Sequence, residues 1–332
     1  MSEKIDFIIT WVDDSDPEWQ VLKDKYATRT EGDARINRFR DWGNLQFWFR
    51  AVEKFAPWVN RVHFISWGHY PRWLKLDHPK LNFVRHEDYI PEQYLPTFSS
   101  RVIELNLHRI RELADKFVLF NDDMFILKPV QPSLFFKAGL PCDSAILKPV
   151  ISSFRNSICC NVINNMEIIN TSFNKKQVVR KNWRKWFHPV YRRNLLSTIT
   201  LLPYPHFVGF INPHLPISYR KEIFTEVWAR EQDILHDTCL NRFRNRNDIN
   251  QWLFRYWQLV QGRFMPRSAA IGRYFSLTNN NRDVCRAILK QKHQLVCLND
   301  DNRDPIRDFE KEKELIRQAF YEILPEKSTF EY

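Results

Sequence analysis

The stretch that decides the fold is Lys4-Ile5-Asp6-Phe7-Ile8-Ile9-Thr10-Trp11-Val12, a run of β-branched and aromatic residues typical of a buried strand. It ends in the acidic turn Asp13–Asp16, and Pro17 then opens a helix, since proline is tolerated in a first helical turn. The same alternation continues, with further strands predicted at Asn60–Trp67, Leu81–Val84 and Lys116–Phe120 and helices at Trp42–Phe55 and Ser100–Ala114. Short hydrophobic strands between amphipathic helices predict an α/β fold with a mostly parallel sheet.

Acidic residues follow the ends of three predicted strands. Asp13–Asp16 follow the first strand, Asn121-Asp122-Asp123 follow Lys116–Phe120, and Asn299-Asp300-Asp301 follow a late strand at Gln294–Leu298. Ligands of parallel α/β sheets bind at the carboxyl ends of strands. Adjacent carboxylates repel one another and offer the oxygen ligands that hard divalent cations prefer, so the clusters predict a metal site. Capping turns are the alternative for each cluster, because Asn and Asp also favour those positions.

Glycine is scarce, with seven residues in a chain of 332, and every glycine is isolated. Neither G-x-G-x-x-G nor G-x-x-x-x-G-K-[ST] occurs, which excludes a glycine-lined phosphate cradle. Any phosphate must therefore be bound by side chains or through a metal. The hydrophobic share of 44% excludes a disordered chain.

The net charge of +11 is concentrated in one window. No acidic residue lies between Glu167 and Glu222, whereas Lys and Arg are frequent there and alternate with aromatic residues. Such a segment suits an anionic membrane surface or RNA, and an ordinary amphipathic helix packed on the domain is the alternative. We expect residues 150–215 to form a basic, aromatic insert, a candidate surface for an anionic acceptor or a membrane, whose order the sequence does not predict.

The cysteine and hydropathy patterns indicate a compartment. The first residues lack the pattern of a signal peptide, and no run of about 18 apolar residues predicts a membrane helix. The six cysteines contain no C-x-x-C pair, so reduced thiols are expected rather than structural zinc. We therefore expect a cytoplasmic protein, either free or peripheral on the inner face of the membrane.

Three basic features could contact an anion or move a proton. His108-Arg109 is either a surface pair or an anion contact. His214 lies in a proline-rich loop, where a histidine is a candidate general base. Arg244 lies among arginines that face either an anion or solvent. Helices dominate the C-terminal part, at Ile223–Arg230, Asp248–Val260 and Glu310–Ile323.

Four segments taken together resemble the Stealth family of capsular-polysaccharide phosphotransferases, which includes the catalytic subunit of the animal lysosomal-enzyme N-acetylglucosamine-1-phosphotransferase. The segments are Ile5–Pro17, Arg38–Phe125, Pro213–Asp248 and Cys297–Asp300 with the helix that follows. Asp14 and Asn44 stand where the family often has Gly and Glu. The resemblance implies one catalytic domain over residues 1–332, with a nucleotide-sugar-transferase-like (GT-A or Rossmann-like) sheet flanked by helices, the basic insert, and a helical C-terminal part.

The resemblance also implies an activity. A hexose 1-phosphate, for example N-acetylhexosamine 1-phosphate, is transferred from a UDP-sugar to a hydroxyl of a glycan or lipid-linked glycan, and UMP is released. The implied ligands of Mg²⁺ or Mn²⁺ are Asp122, Asp123, Asn299 and Asp300. The implied catalytic residues are His214, Arg244, Arg109 and Asp123. The implied substrate-binding residues are Thr10, Trp11, Asp13, Asp16, Arg38, Asp41, Arg50 and His108.

Two other functions remain open from the sequence. A metal-dependent glycosyltransferase with a similar sheet would transfer the sugar without phosphate and release UDP. An RNA-binding module is favoured only by charge, and it is disfavoured because the charge is confined to one window and the acidic clusters stay unexplained. We expect no nucleic-acid partner.

Overall fold

The computed structural model describes residues 4–27, 40–152, 158–300 and 306–332. In chain order the strands are β1 Ile5–Thr10, β2 Val62–Ser66, β3 Leu81–Arg85, β4 Lys116–Asn121, β5 Met124–Ile126, β6 Phe136–Lys137, β7 Leu140–Asp143, β8 Ile217–Arg220, β9 Met265–Pro266, β10 Gly272–Ser276 and β11 Leu295–Asn299. The α-helices are α1 Pro17–Tyr26, α2 Leu45–Phe55, α3 Ser100–Leu105, α4 Cys159–Ser172, α5 Lys175–Lys181, α6 Trp183–Trp186, α7 Asn194–Leu201, α8 Lys221–Arg230, α9 Gln232–Leu240, α10 Trp252–Val260, α11 Arg282–Leu289 and α12 Phe309–Ile323.

The central sheet has five strands in the order β3-β2-β1-β4-β8. The first four run parallel to one another, and β8 lies antiparallel at the edge beside β4. Phe7, Ile8 and Ile9 of β1 are fully buried, because helices cover both faces of the sheet. The predicted mostly parallel α/β sheet flanked by helices is confirmed.

The sheet separates two hydrophobic clusters. Side-chain alternation along β1 sends Phe7 and Ile9 into one cluster with α2 and α12, and Ile8 into the other with α3, α8 and α10. In the first cluster, Trp48 of α2 packs edge-on against Phe120 of β4, with ring centroids 5.5 Å apart. The helices are thus fixed to the strands whose ends carry the acidic residues.

A second sheet, in the order β10-β11-β5, begins where the central sheet ends. Strand β5 follows β4 after only Asp122 and Asp123, and it pairs antiparallel with β11, which runs parallel to β10. The Leu298 N–H of β11 donates to the Asp123 carbonyl at 2.7 Å. The two sheets therefore meet at the Asp122-Asp123 turn. A small third sheet has the order β6-β7-β9.

Three helices are shorter than predicted, and the first of them, α2, begins at Leu45 instead of Trp42. The segment Ser100–Ala114 is α-helical only as α3, because the Asn106 side chain donates to a carbonyl of the last turn and competes with its continuation. The helix predicted from Asp248 begins at Trp252, because the Asp248 carboxylate accepts from the Asn245 N–H and closes a turn there instead.

Within the predicted basic insert 150–215, the four helices α4 to α7 lie between residues 159 and 201 and pack on the same core. Trp186 of α6 is fully buried in the cluster that contains Ile8. Two of the basic side chains serve the fold, since Lys175 Nζ donates to the Leu201 carbonyl at 2.6 Å and Lys185 Nζ donates to the Gly262 carbonyl at 2.6 Å. Among the described ranges, none of the helices combines the length and apolar character that a membrane crossing requires.

Candidate active site

The Asp122-Asp123 turn places two carboxylates at the carboxyl end of β4. The Asp122 side chain is exposed, although many protein atoms lie near its carboxyl group, and Asp123 is half-buried. These protein atoms partly desolvate the carboxyl group. That desolvation, and then the charges of Asp123 and Asp41, raise the pKa of Asp122 to about 8. The protein alone therefore disfavours the charged form of Asp122, and a nearby cation would favour it.

Asp123 is oriented by strand β11. Its Oδ2 accepts from Asn299 Nδ2 at 2.7 Å and from Cys297 Sγ at 3.3 Å. Cys297 and Asn299 face the same side because side chains alternate along a strand. The Asp123 Oδ1 is buried and has no hydrogen-bond partner among the described residues. A buried acceptor in that state commonly marks the position of a ligand or an ion.

His214 lies on the other side of Cys297. Its Nδ1 is 3.3 Å from Cys297 Sγ, and its ring makes edge contacts with Trp252 and Tyr274. The backbone φ of His214 is 51°, a left-handed conformation that persists only where the surroundings enforce it. The ligand-type atoms of Asp123, His214 and Cys297 all lie within 4.8 Å of one another.

A buried ion pair holds the loop that leads to His214. Arg255 of α10 donates from Nε and Nη2 to the two Asp143 carboxylate oxygens, at 2.7 and 2.8 Å. Its Nη1 donates to the Ile211 carbonyl at 2.9 Å and to Asn212 Oδ1 at 2.7 Å. Burial disfavours the guanidinium charge, but Asp143 outweighs this effect and raises the pKa of Arg255. Arg255 therefore stays charged and fixes the backbone before His214.

Arg244 is held beside the acidic turn. Its Nη2 donates to Ser100 Oγ at 2.8 Å, at the start of α3. Burial raises the pKa of Glu104 to about 7, and the Arg244 charge opposes that rise. The Arg244 charge also opposes the rise in the pKa of Asp122, so the guanidinium lies within electrostatic reach of both carboxyls.

The end of β1 adds further carboxylates. The Asp13 N–H donates to His69 Nε2 at 2.9 Å. Burial, and then the charges of Asp41 and Asp13, raise the pKa of Asp14. Burial also raises the pKa of Asp41, and the Asp13 charge adds to that rise. These couplings join the ends of β1 and β4 into one group of five carboxylates, which we call the acidic cluster: Asp13, Asp14, Asp41, Asp122 and Asp123.

Comparison with known proteins assigns the family. Two family models match the chain, Stealth protein conserved region 1 at residues 3–31 and Stealth protein conserved region 2 at residues 38–142. The capsular polysaccharide phosphotransferase WcwK of Streptococcus pneumoniae is 46% identical over 99% of this chain and 98% of the relative. This chain belongs to the Stealth family.

Other Stealth relatives span the whole chain as well. The exopolysaccharide phosphotransferase cps2G of Lactiplantibacillus plantarum is 39% identical, over 98% of this chain and 96% of its own length. The receptor polysaccharide phosphotransferase WefC of Streptococcus oralis is 38% identical, over 99% of each chain. Among solved structures, the galactosyltransferase LgtC aligns over 94% of this chain and 95% of its own, at 10% identity and a TM-score of 0.35. That score is too low to add to the fold assignment made from the sheet order.

The structure brings together several residues that the Stealth resemblance implied. They are Asp13, Asp41, Asp122, Asp123, His214, Arg244 and Asn299. Thr10 pairs with Asn121 in the sheet beside them, and Trp11 is buried directly after it. Asp16 lies at the same end of β1, but its carboxylate caps α1 by accepting from the Glu18 N–H at 2.9 Å.

The two implied metal ligands on β11 have other partners. Asn299 directs its amide nitrogen at Asp123, and so it orients that carboxylate. Asp300 Oδ2 accepts from Arg40 Nε at 2.9 Å and from Trp42 Nε1 at 3.2 Å. The Asp300 charge is therefore paired with Arg40, and its implied role as a metal ligand stays a prediction.

Arg50 has a structural role instead of the implied contact with substrate. It is buried, and Nε and Nη2 each donate to the Glu331 carboxylate at 2.9 Å. Its Nη1 donates to the Leu324 carbonyl at 2.9 Å. Each guanidinium nitrogen therefore binds the C-terminal segment. Arg38, another implied contact, lies outside the described residues.

His108 and Arg109 pack against α8. Arg109 Nε donates to Asn106 Oδ1 at 3.0 Å, and its guanidinium lies over the Trp228 ring at 5.0 Å. Burial, and then the charges of Arg109 and Lys221, lower the pKa of His108 to about 3. Within the described residues neither side chain makes a hydrogen bond or an ion pair to the acidic cluster, so we assign neither to substrate.

Sequence analysis missed Cys297, His69 and the Arg255–Asp143 pair. Period-two alternation in the predicted strand Gln294–Leu298 places Cys297 on the face of Asn299, and that signal could have found it. His69 and Arg255 carry no comparable local pattern, since their partners are distant in sequence.

Proposed function

We propose that this chain transfers a sugar 1-phosphate from a UDP-sugar to a hydroxyl group of a glycan acceptor, with release of UMP, in the synthesis of a capsular or other surface polysaccharide. The related proteins with full-length matches are named as capsular, exopolysaccharide and receptor polysaccharide phosphotransferases. The observation that carries the proposal is the acidic cluster with His214 and Arg244 at the ends of adjacent strands. Phosphoryl transfer depends mainly on positioning and charge neutralisation, which this set can supply.

A hard divalent cation fits the acidic cluster. The pKa of Asp122 is raised by desolvation and by Asp123 and Asp41, so the protein alone leaves these carboxylates short of positive charge. Asp123 Oδ1 is buried without a hydrogen-bond partner among the described residues. Asp122 and Asp123 would hold Mg²⁺ or Mn²⁺, which when bound neutralises the charge of a diphosphate.

The reacting groups follow from the contacts. The acceptor oxygen attacks the phosphorus that carries the sugar, the new P–O bond forms, and the bond to the UMP oxygen breaks. With Nδ1 of His214 against Cys297, Nε2 is the nitrogen that takes the acceptor proton. Arg244, held by Ser100, stabilises negative charge on the phosphoryl oxygens.

The nucleotide product tests this proposal. Purified protein is incubated with each of several UDP-sugars, Mg²⁺ and a glycan acceptor, and the nucleotide is separated chromatographically. UMP, together with a phosphodiester resonance of phosphorus in the glycan, is the expected result. UDP as the product would instead establish a glycosyltransferase, the alternative function. His214→Gln should abolish UMP release, while His206→Gln, an exposed histidine on the same loop, should not.

We further infer that this enzyme works peripherally at the anionic inner face of the membrane, on a lipid-linked acceptor. Helix α7 presents an outward apolar face, with Leu196 exposed by 66% and Ile199 by 50%. Its inner face is anchored, because buried Thr198 accepts from the Leu147 N–H at 3.1 Å.

Cationic and aromatic residues border that face. Arg192 and Arg193 are exposed at the start of α7, and Tyr204, 55% exposed, follows its end. Apolar side chains flanked by cations and an aromatic ring suit an interface of anionic headgroups. This arrangement favours a bilayer surface over a soluble polymer as the occupant.

Vesicle flotation tests this surface. The protein should float with vesicles that contain anionic lipid and not with neutral phosphatidylcholine vesicles. Leu196→Ser with Ile199→Ser should abolish flotation, whereas Leu240→Ser with Leu289→Ser, at apolar positions of similar exposure on other helices, should not. Equal flotation of both double variants would contradict the assignment.

A further inference from the structure

We propose that Asp123, His214 and Cys297 form a binding site for a thiophilic divalent cation such as Zn²⁺. The three side chains supply a carboxylate oxygen, an imidazole nitrogen and a sulfur, which are the common ligand types of zinc in proteins. Mg²⁺ and Mn²⁺ prefer oxygen ligands, so a cation at Asp122 and Asp123 leaves the thiol of Cys297 without a role in its coordination.

The spacing of the three atoms matches such a site. Cys297 Sγ lies 3.3 Å from His214 Nδ1 and 3.3 Å from Asp123 Oδ2. In a tetrahedral zinc site, bonds of about 2.3 Å to sulfur and about 2.0 Å to nitrogen or oxygen separate neighbouring ligand atoms by about 3.5 Å. Two edges of the tetrahedron are therefore nearly formed, and the third, between the ligand atoms of Asp123 and His214, is no longer than 4.8 Å.

The surroundings already fix the ligands. Asn299 Nδ2 donates to Asp123 Oδ2 at 2.7 Å, and Trp252 and Tyr274 flank the His214 ring. Such contacts orient metal ligands in known sites. Cys297 is buried, whereas Asp123 and His214 are half-buried, so a cation enters from their side and solvent completes its coordination there.

Occupation of this site has a chemical consequence. The cation binds the thiolate, so the Cys297 proton is released to solvent as the metal–sulfur bond forms. Asp123 becomes a metal ligand, and His214 binds the cation through Nδ1. The neutral imidazole then carries its proton on Nε2, so this nitrogen no longer accepts a proton from the acceptor. Zn²⁺ should therefore inhibit turnover. This consequence rests on the proposed function, whereas cation binding itself does not.

Cobalt is the spectroscopic probe for the site. The full-length protein is titrated with Co²⁺ alone, and a sulfur-to-cobalt charge-transfer band in the near ultraviolet is expected at one equivalent. Cys297→Ser should lose the band, and Cys285→Ser, which removes a thiol elsewhere, should retain it. His214→Gln should weaken Co²⁺ binding by about tenfold or more while the protein stays folded by circular dichroism.

Zn²⁺ inhibition is the second measurement. The half-inhibitory Zn²⁺ concentration is measured for wild type, Cys297→Ser and Cys285→Ser, each relative to its own rate without Zn²⁺. Cys297→Ser should raise this concentration by about tenfold or more, and Cys285→Ser should leave it unchanged. Bound Co²⁺ without a sulfur band, a band that persists in Cys297→Ser, or no Co²⁺ binding would overturn the site. Failure of UMP release would remove only the proposed function, because the cobalt band does not depend on turnover.

Discussion

Replacement of Asp143 by asparagine should destabilise the protein and slow turnover through a single side chain, Arg255. In the folded protein both groups are nearly inaccessible, with 2% of the Arg255 side chain and 7% of the Asp143 side chain exposed. Asp143→Asn removes the negative charge and turns an amide N–H₂ toward a guanidinium that only donates. Breaking one partner of a buried pair leaves an uncompensated charge and costs roughly 3–5 kcal/mol.

Two hydrogen bonds of Arg255 remain in Asp143→Asn, and they limit how much free energy of unfolding this variant loses. Nη1 still donates to the Ile211 carbonyl and to Asn212 Oδ1, and such bonds contribute about 1 kcal/mol each. We therefore expect a loss of about 3 kcal/mol in the free energy of unfolding, measured by urea denaturation at pH 7. The exposed pair Arg286–Asp283 is the control, and Asp283→Asn should cost less than about 1 kcal/mol.

A double variant separates stability from positioning. Asp143→Leu with Arg255→Met replaces the pair by apolar groups, which commonly restores stability. It also removes both donations from Nη1, so the loop before His214 is no longer held, and UMP release should remain at least about tenfold below wild type. Asp143→Asn with the stability of the surface control, or a double variant with the wild-type rate, would refute the positioning role.

Three further predictions concern Glu104, Arg244 and Gly272. Burial raises the pKa of Glu104 from 4.5 to about 7, so the folded state holds the Glu104 proton more tightly than the unfolded state does. The contribution of this proton to stability is complete below pH 4.5 and is lost as the pH rises through 7. Urea denaturation should therefore find Glu104→Gln equal to wild type near pH 4 and more stable by up to about 3 kcal/mol at pH 8. Arg244→Lys keeps the charge but loses the fork that binds Ser100 Oγ, and kcat should fall about 10- to 100-fold, whereas an unchanged kcat would remove Arg244 from the phosphoryl site. Gly272→Ala would press a Cβ against the Leu295 carbonyl of β11, so both thermal stability and UMP release should fall, and a variant with the wild-type Tm would contradict this packing.

The sequence predicted those parts of the fold that depend on local pattern. Continuous apolar runs identified β1 and β4, and the acidic residues after them lie together at the carboxyl end of the sheet, as the strand pattern predicted. The pairing of Asp300 with Arg40 could not be predicted, since Arg40 is 260 positions away in the chain and meets Asp300 only in the folded protein. The same limit applies to Arg50, whose partner Glu331 is 281 positions away.

Asp123 connects the two kinds of chemistry at this site. Its carboxylate is adjacent to Asp122, with which it forms a hard oxygen pair, and it also contacts Cys297, which lies against His214. Because Asn299 holds the Asp123 carboxylate, this group cannot reorient freely to bind one cation beside Asp122 and another beside Cys297 and His214. A cation at the Asp122 side leaves His214 free to accept a proton, while a cation bound by the thiolate takes His214 as a ligand. If both proposals hold, the identity of the bound metal decides whether this end of the sheet is active or blocked.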